Sequence, residues 1–367
     1  PLVKILAGIR RCGKSTIFEM LEEELLRRGV SADHIICKRY TEMDIPENIT
    51  AKQMYDELMV AMADKGHCYL LLDEIQEITG WERAVNSLLE GADADIYVTG
   101  SNSKLMSSEI STYLTGRYVS IPVYTLSFRE YLDFKADSTL SRKELLEEYI
   151  RFGGFPIIAL SEYDAQNAYQ IVNGIYHTVV SRDIVKRHRI NKQDLFDRVV
   201  KFIIENVGKT FSANSISTFL KSEHCKVSLE SIYNYLRWLE QAFIIYPCER
   251  YDLQGKSILK TQEKYYLADV SLKYALLGYN RKMLDGAMEN IVFLELKRRG
   301  YDVYIGKNDT KEIDFVATRR DERIYVQVCV QLPAGSDREV GSLMEIRDHY
   351  PKYVVTLNDM DVGIENG

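Results

Sequence analysis

The eight residues Gly8-Ile9-Arg10-Arg11-Cys12-Gly13-Lys14-Ser15 constrain this chain more than any others. They fit G-x-x-x-x-G-K-[ST] without a gap, with an apolar run, Leu2 to Ala7, before them and an amphipathic stretch, Ser15 to Arg28, after them. Glycines at both ends allow a tight loop whose backbone N–H groups surround a phosphate, and the positive end of the following helix points at the same anion. The chain is therefore expected to begin as strand, phosphate-binding loop and helix. The expected nucleotide-binding set is Gly8, Ile9, Arg10, Arg11, Cys12, Gly13, Lys14, Ser15 and Thr16, with Lys14 reaching the β and γ phosphates. Ser15 is placed to give a hydroxyl oxygen to Mg²⁺, a hard cation that prefers oxygen, and Thr16 is the weaker choice for that role. Cys12 reads either as an inert thiol or as a point of oxidation sensitivity.

A second element matches the first. Tyr69-Leu70-Leu71-Leu72-Asp73-Glu74 is an apolar run ending in two acids, the pattern of a buried strand that delivers Asp73 to the metal. Glu74 is then the candidate for orienting the attacking water, a positioning role in phosphoryl transfer; the alternative is a solvated acid leading into a helix. The next strand ends in Thr99-Gly100-Ser101-Asn102-Ser103, where Ser101 and Asn102 could sense the γ-phosphate. Thr115-Gly116-Arg117-Tyr118 places Arg117 in a loop before a strand, a position suited to an arginine finger and equally to an ordinary surface arginine.

Strands are expected at Leu2 to Ala7, His34 to Arg39, Cys68 to Leu72 and Asp95 to Val98, with helices at Ser15 to Arg28, Ala51 to Ala63 and Trp81 to Gly91. That alternation predicts an α/β fold with a parallel sheet covered on both faces. From Phe128 to about Arg189 the pattern is helical, broken at Gly153-Gly154-Phe155-Pro156, and reads as a helical lid. Three helix-like stretches follow, Leu195 to Val207, Ala213 to Ser222 and Ser228 to Ala242, then two strand-like ones, Phe243 to Tyr251 and Ser257 to Leu267. This is the order of a winged helix, whose third helix enters the major groove in nucleic-acid binders and serves only for packing in other proteins.

Composition limits the alternatives. The 367 residues allow two to four domains, and 46% hydrophobic with 28% charged residues is the balance of a folded globular chain. A net charge of -7 offers no overall attraction for nucleic acid, so any such binding is local. The six cysteines lie far apart with no C-x-x-C pair, against a zinc site or a disulfide framework. No apolar run nears the roughly 18 residues of a membrane span, and no signal-peptide core is present, so a cytoplasmic location without membrane attachment is expected. The chain starts without methionine, directly at a strand, and residues are expected to be missing from both ends.

Gly8 to Ser15, Leu71-Leu72-Asp73-Glu74-Ile75-Gln76, Thr99 to Ser103, Thr115 to Tyr118 and Gly153 to Pro156 together resemble the AAA-superfamily ATPases of bacteria and archaea that carry a C-terminal domain of unknown function. The resemblance implies an ATPase domain, a winged helix and a restriction-endonuclease-like domain, and adenine rather than guanine as the base. The expected boundaries are 1–127 for the ATPase core, 128–190 for the lid, 191–262 for the winged helix and 263–367 for a small α/β nuclease-like domain. In the last, Glu289 and Asp314 fit two acids of an active nuclease, but Gln327 and Cys329 stand where an acid and a lysine are needed. An inactivated nuclease fold with a binding or assembly role is expected. The basic run Arg182 to Arg189 could hold phosphates or be a solvated helix face.

The reading that results is a Mg²⁺-dependent ATPase. Lys14, Glu74 and Arg117 act in catalysis, Ser15 and Asp73 hold the metal, and DNA, a second copy of the chain or another protein is the partner. The alternative is a slow-turnover, ATP-gated DNA-binding switch.

Overall fold

The structure, a computed structural model, describes every residue except Pro1, 42–45, 47–48, 107–109, 111–112, Thr115, Glu162, Asn191, Lys226, Lys256, 281–283, 309–310, 333–337, 359–362 and 364–367. Contacts divide the chain into two units, Pro1–Thr125 with Gln241–Phe243, and Leu126–Glu240 with Ile244–Gly367.

The first unit is built on five parallel strands: β1 (Val3–Ala7), β2 (Ile35–Arg39), β3 (Cys68–Asp73), β4 (Ala94–Gly100) and β5 (Tyr118–Pro122). Their order is β2-β3-β4-β1-β5. Cys68, Leu70, Leu71 and Leu72 of β3 are all buried, so residues pointing to either face of this strand are covered, as a parallel sheet requires. Helix α1 (Lys14–Arg27) turns Phe18, Leu21 and Leu25 to one side at the i, i+3, i+7 spacing, and they pack with Leu6, Ile35 and Leu71 of three strands. Helix α3 (Trp81–Gly91) buries Trp81, Ala84, Val85, Leu88 and Leu89 in the same way and packs beside α2 (Ala51–Met62). Thr50 starts α2 with a reciprocal cap on Gln53. Every strand and helix expected in residues 1–100 is present, within two residues at each end.

The second unit opens with helices α4 (Phe128–Phe134), α5 (Arg142–Phe152) and α6 (Ala165–Val179), the first two begun by Ser127/Glu130 and Ser141/Glu144 capping boxes. Helices α7 (Gln193–Glu205), α8 (Ala213–Ser222) and α9 (Leu229–Gln241) follow. A six-stranded mixed sheet takes the order β11-β10-β9-β8-β6-β7. Its strands are β6 (Ile245–Asp252), β7 (Ser257–Leu267), β8 (Asp302–Asn308), β9 (Lys311–Arg319), β10 (Glu322–Val328) and β11 (Lys352–Val355). Helices α10 (Ser271–Leu277), α11 (Leu284–Arg298) and α12 (Arg338–Met344) complete the unit, and Phe293 of α11 stacks on Tyr266 beside Phe315.

Two features of this unit differ from the divisions drawn on the sequence. The segment 128–190, expected as a lid, shares its core with later residues: Tyr131, Leu145, Tyr149 and Ala159 pack with Ile291 of α11, and the Gly154 N–H donates to Asp269 Oδ2 at 2.8 Å. Gly153 explains its own place in the Gly-Gly-Phe-Pro motif, because its φ is 76° and a Cβ there would stand 1.8 Å from Asp269 Oδ1. The hairpin β6-β7 pairs with β8 through Arg250 to Asp252, so it extends the C-terminal sheet, and the boundary drawn after residue 262 falls inside β7. Ladder hydrogen bonding, which sequence periodicity does not report, makes one sheet of two expected domains.

Candidate nucleotide site

Parallel strands deliver all their C-terminal ends to one edge of a sheet, where ligands of α/β proteins bind. The register pairs Ala7 with Gly100, Leu72 with Val98 and Arg39 with Asp73, so the loop after β1 and the tips of β2, β3 and β4 arrive together. Gly8 is required by closeness, since a Cβ there would lie 2.0 Å from the Val123 carbonyl oxygen. Gly13, with φ 103°, turns the loop into α1, whose first residue is Lys14.

The side chains at this edge form one connected network. Lys14 is buried and its Nζ donates to the carbonyls of Gly8 and Ile9, both at 3.0 Å. Ser15 Oγ donates to Asp73 Oδ2 at 2.7 Å. The Thr99 hydroxyl donates to Asp73 Oδ1 and accepts from the Glu74 N–H at 3.0 Å. Glu74 adopts the left-handed conformation, φ 54°, which for a non-glycine residue is held only by surrounding contacts. Its Oε2 accepts from Gln76 Nε2 and from Ser101 Oγ, and lies 3.7 Å from Arg10; its Oε1 is 3.9 Å from Lys14 Nζ. Burial raises the pKa of this carboxyl, but Lys14, Arg10 and the two hydrogen bonds outweigh it, and the net shift is downward. Glu74 is therefore ionised at neutral pH. Burial pushes the Cys12 thiol up despite Lys14 nearby, as expected of the inert alternative.

The structure thus brings Arg10, Lys14, Ser15, Asp73, Glu74 and Ser101 into contact, with Gly8, Ile9, Cys12 and Gly13 in the same loop. Asn102 is buried just beyond the tip of β4, Arg11 is exposed with φ 67°, and Thr16 is exposed on α1. Arg117 is placed apart. It precedes β5 at the N-terminal edge of the sheet, and β1, at roughly 3.3 Å per residue, separates it from the loop. Its guanidinium donates to Asn86 at 2.7 Å and Glu90 at 2.9 Å on α3; Thr115 of the same motif lies outside the described residues. Sequence reasoning missed Thr99, Gln76 and Arg39. The first two sit inside the motifs already noted, and Arg39 is the last residue of an expected strand, where a parallel sheet puts its functional groups.

In the second unit, Asp314 Oδ2 accepts from the Val328 N–H at 2.8 Å, and the Gln327 side chain accepts from the Asp314 N–H at 3.3 Å. Glu289 accepts from Tyr266 at 3.1 Å and from Lys264 at 3.5 Å, and Lys264 is also 2.8 Å from Glu312. Burial alone would lower the Lys264 pKa, but these two carboxylates raise it, so its ammonium stays charged between them. Among the described residues no three His, Cys, Asp or Glu side chains converge as a metal site, and none of the helices is long and apolar enough to cross a membrane.

Comparison with known proteins agrees with the geometry. Residues 1–132 match the model of an AAA domain, and residues 143–282 match that of a domain of unknown function. An uncharacterized protein of Haemophilus influenzae is 36% identical over 96% of this chain and 88% of its own length. The uncharacterized protein MJ1544 of Methanocaldococcus jannaschii is 30% identical over 97% of this chain and 82% of its own. The solved Walker-type ATPase paby2304 of Pyrococcus abyssi covers 75% of this chain and 90% of its own at 14% identity, with a TM-score of 0.53, a likeness of fold. Identity of this extent, together with the loop and strand motifs in place, makes the chain a member of the family of P-loop ATPases that join an AAA domain to a C-terminal domain of unknown function.

Proposed function

We propose that this chain hydrolyses ATP with Mg²⁺. One observation carries the reading: Lys14, Ser15, Asp73 and Glu74, from two separate elements, meet at one sheet edge with Ser15 and Asp73 2.7 Å apart and Lys14 and Glu74 3.9 Å apart. Two oxygens on adjacent corners of a Mg²⁺ octahedron stand about 2.9 Å apart, so Ser15 Oγ and Asp73 Oδ2 fit the metal they would hold. The ion, when bound, would offset charge on the β and γ phosphates. Lys14, released from the two loop carbonyls it now serves, binds the same phosphates. Glu74, kept ionised by Lys14 and Arg10, orients a water for in-line attack and can take its proton. Ser101 and Asn102, at the tip of the intervening strand, sense the γ-phosphate.

The second unit is the proposed coupling element to DNA. Helix α9 exposes Tyr233 and Arg237, and His188 of the basic run stacks on Trp238 of that helix with ring centroids 4.3 Å apart. Arg117, at the far edge of the first unit, is the proposed finger for the site of a neighbouring copy. A slow-turnover, ATP-gated switch is the second reading, favoured by the grip of Gln76, Ser101 and Arg10 on Glu74.

Steady-state phosphate release from ATP and Mg²⁺ tests this. Glu74→Gln is expected to slow it by at least about 100-fold while ATP affinity stays within a few-fold. Equal release by both proteins would sink the assignment of Glu74, and tight ATP binding without release by the wild type would favour the switch.

A further inference from the structure

We propose that Arg39 competes with the divalent cation for Asp73, and so sets how tightly the site holds metal. The inference rests on the ATPase reading, whose metal ligands it concerns. Arg39 closes β2 as the direct register partner of Asp73, which puts the two side chains side by side. Its Nε lies 3.2 Å from Asp73 Oδ2, the same oxygen that accepts from Ser15 Oγ. Asp73 Oδ1 is already bound by Thr99, so Oδ2 is the oxygen left to a cation or to its coordinated water.

A guanidinium and a hydrated divalent ion cannot both lie against one carboxylate oxygen, because their charges repel and they use the same lone pairs. Arg39 also has a second anchor. Its Nη2 is 3.2 Å from Glu19 Oε1, on α1 one turn after Ser15. The Arg39 side chain is 42% exposed, against 6% for Asp73, and it borders a cavity of about 150 Å³ that also touches Ser15, Glu19 and Glu22. The arginine therefore has room and a waiting carboxylate when the cation takes Oδ2, while Asp73 stays fixed. Without the cation, Arg39 neutralises a carboxylate that would otherwise be buried beside Glu74.

The test is Mn²⁺ binding to the full chain saturated with ADP, read by loss of the free-ion electron paramagnetic resonance signal, with metal-free affinity for a fluorescent ADP measured alongside. Arg39→Gln is expected to tighten Mn²⁺ by roughly tenfold, the size of one partly screened charge, with metal-free ADP affinity within twofold. Arg39→Lys, which keeps the charge, should stay near wild type. Unchanged or weaker Mn²⁺ binding in Arg39→Gln, with ADP still bound, overturns the competition and leaves the ATPase reading standing. Absence of ADP binding by the wild type overturns both.

Discussion

Thr99→Val removes one hydroxyl from the centre of the network and preserves the shape of the side chain. Thr99 is fully buried, and its Oγ1 joins Asp73 Oδ1 to the Glu74 N–H. Its loss leaves a buried backbone donor without that acceptor, at about 1–3 kcal/mol, and removes a bond to an ionised carboxylate, at about 1.5–3 kcal/mol. The added methyl returns about 1 kcal/mol through burial. The net loss is about 3 kcal/mol, or roughly 10 °C in the midpoint of a domain of this size. The chain has two tryptophans, Trp81 in the first unit and Trp238 in the second. In a Trp238→Phe background, fluorescence during urea unfolding therefore follows the first unit alone. Thr99→Ser, which keeps the hydroxyl, is the control. If the valine and serine variants agree within about 0.5 kcal/mol, the hydroxyl does not hold the strand tips and the reasoning is refuted.

Two further perturbations probe the rest of the molecule. Gly153→Ala forces a Cβ to 1.8 Å from Asp269 Oδ1 at a backbone φ of 76°, and should cost the second unit at least about 2 kcal/mol, read from Trp238 emission in a Trp81→Phe background. An unaltered midpoint would mean that the Asp269 contact is not a constraint. Native Cys12, buried and with a raised pKa, should be alkylated by iodoacetamide at pH 8 far more slowly than the half-buried Cys225, as judged by peptide mass spectrometry. Equal rates would show that the loop opens readily.

Much of the first unit was legible because its signals are local. The eight-residue loop, the apolar run ending at Asp73-Glu74 and the 3.6-residue spacing of Phe18, Leu21 and Leu25 each lie within one short segment. The loop, its helix and the acidic strand tip are written in consecutive residues, and the residues that would touch phosphate and metal could be named from them.

What joins segments far apart in the chain was not legible. That Arg39 faces Asp73 and that Thr99 bridges Asp73 and Glu74 follow from strand register and order, and that Lys264 sits between Glu289 and Glu312 follows from the packing of a helix and the sheet; both place residues 25 to 48 positions apart against one another. Arg117 shows the same limit from the other side, since its motif suits a catalytic finger while the parallel sheet sets it at the edge away from its own loop. The sequence by itself determined which short segments become strands, helices and the phosphate loop, because backbone sterics and hydrophobic spacing act over a few residues. Only the tertiary structure decided which strand tips meet, which charges pair and which helices share a core, because those depend on hydrogen-bond ladders closed between distant parts of the chain.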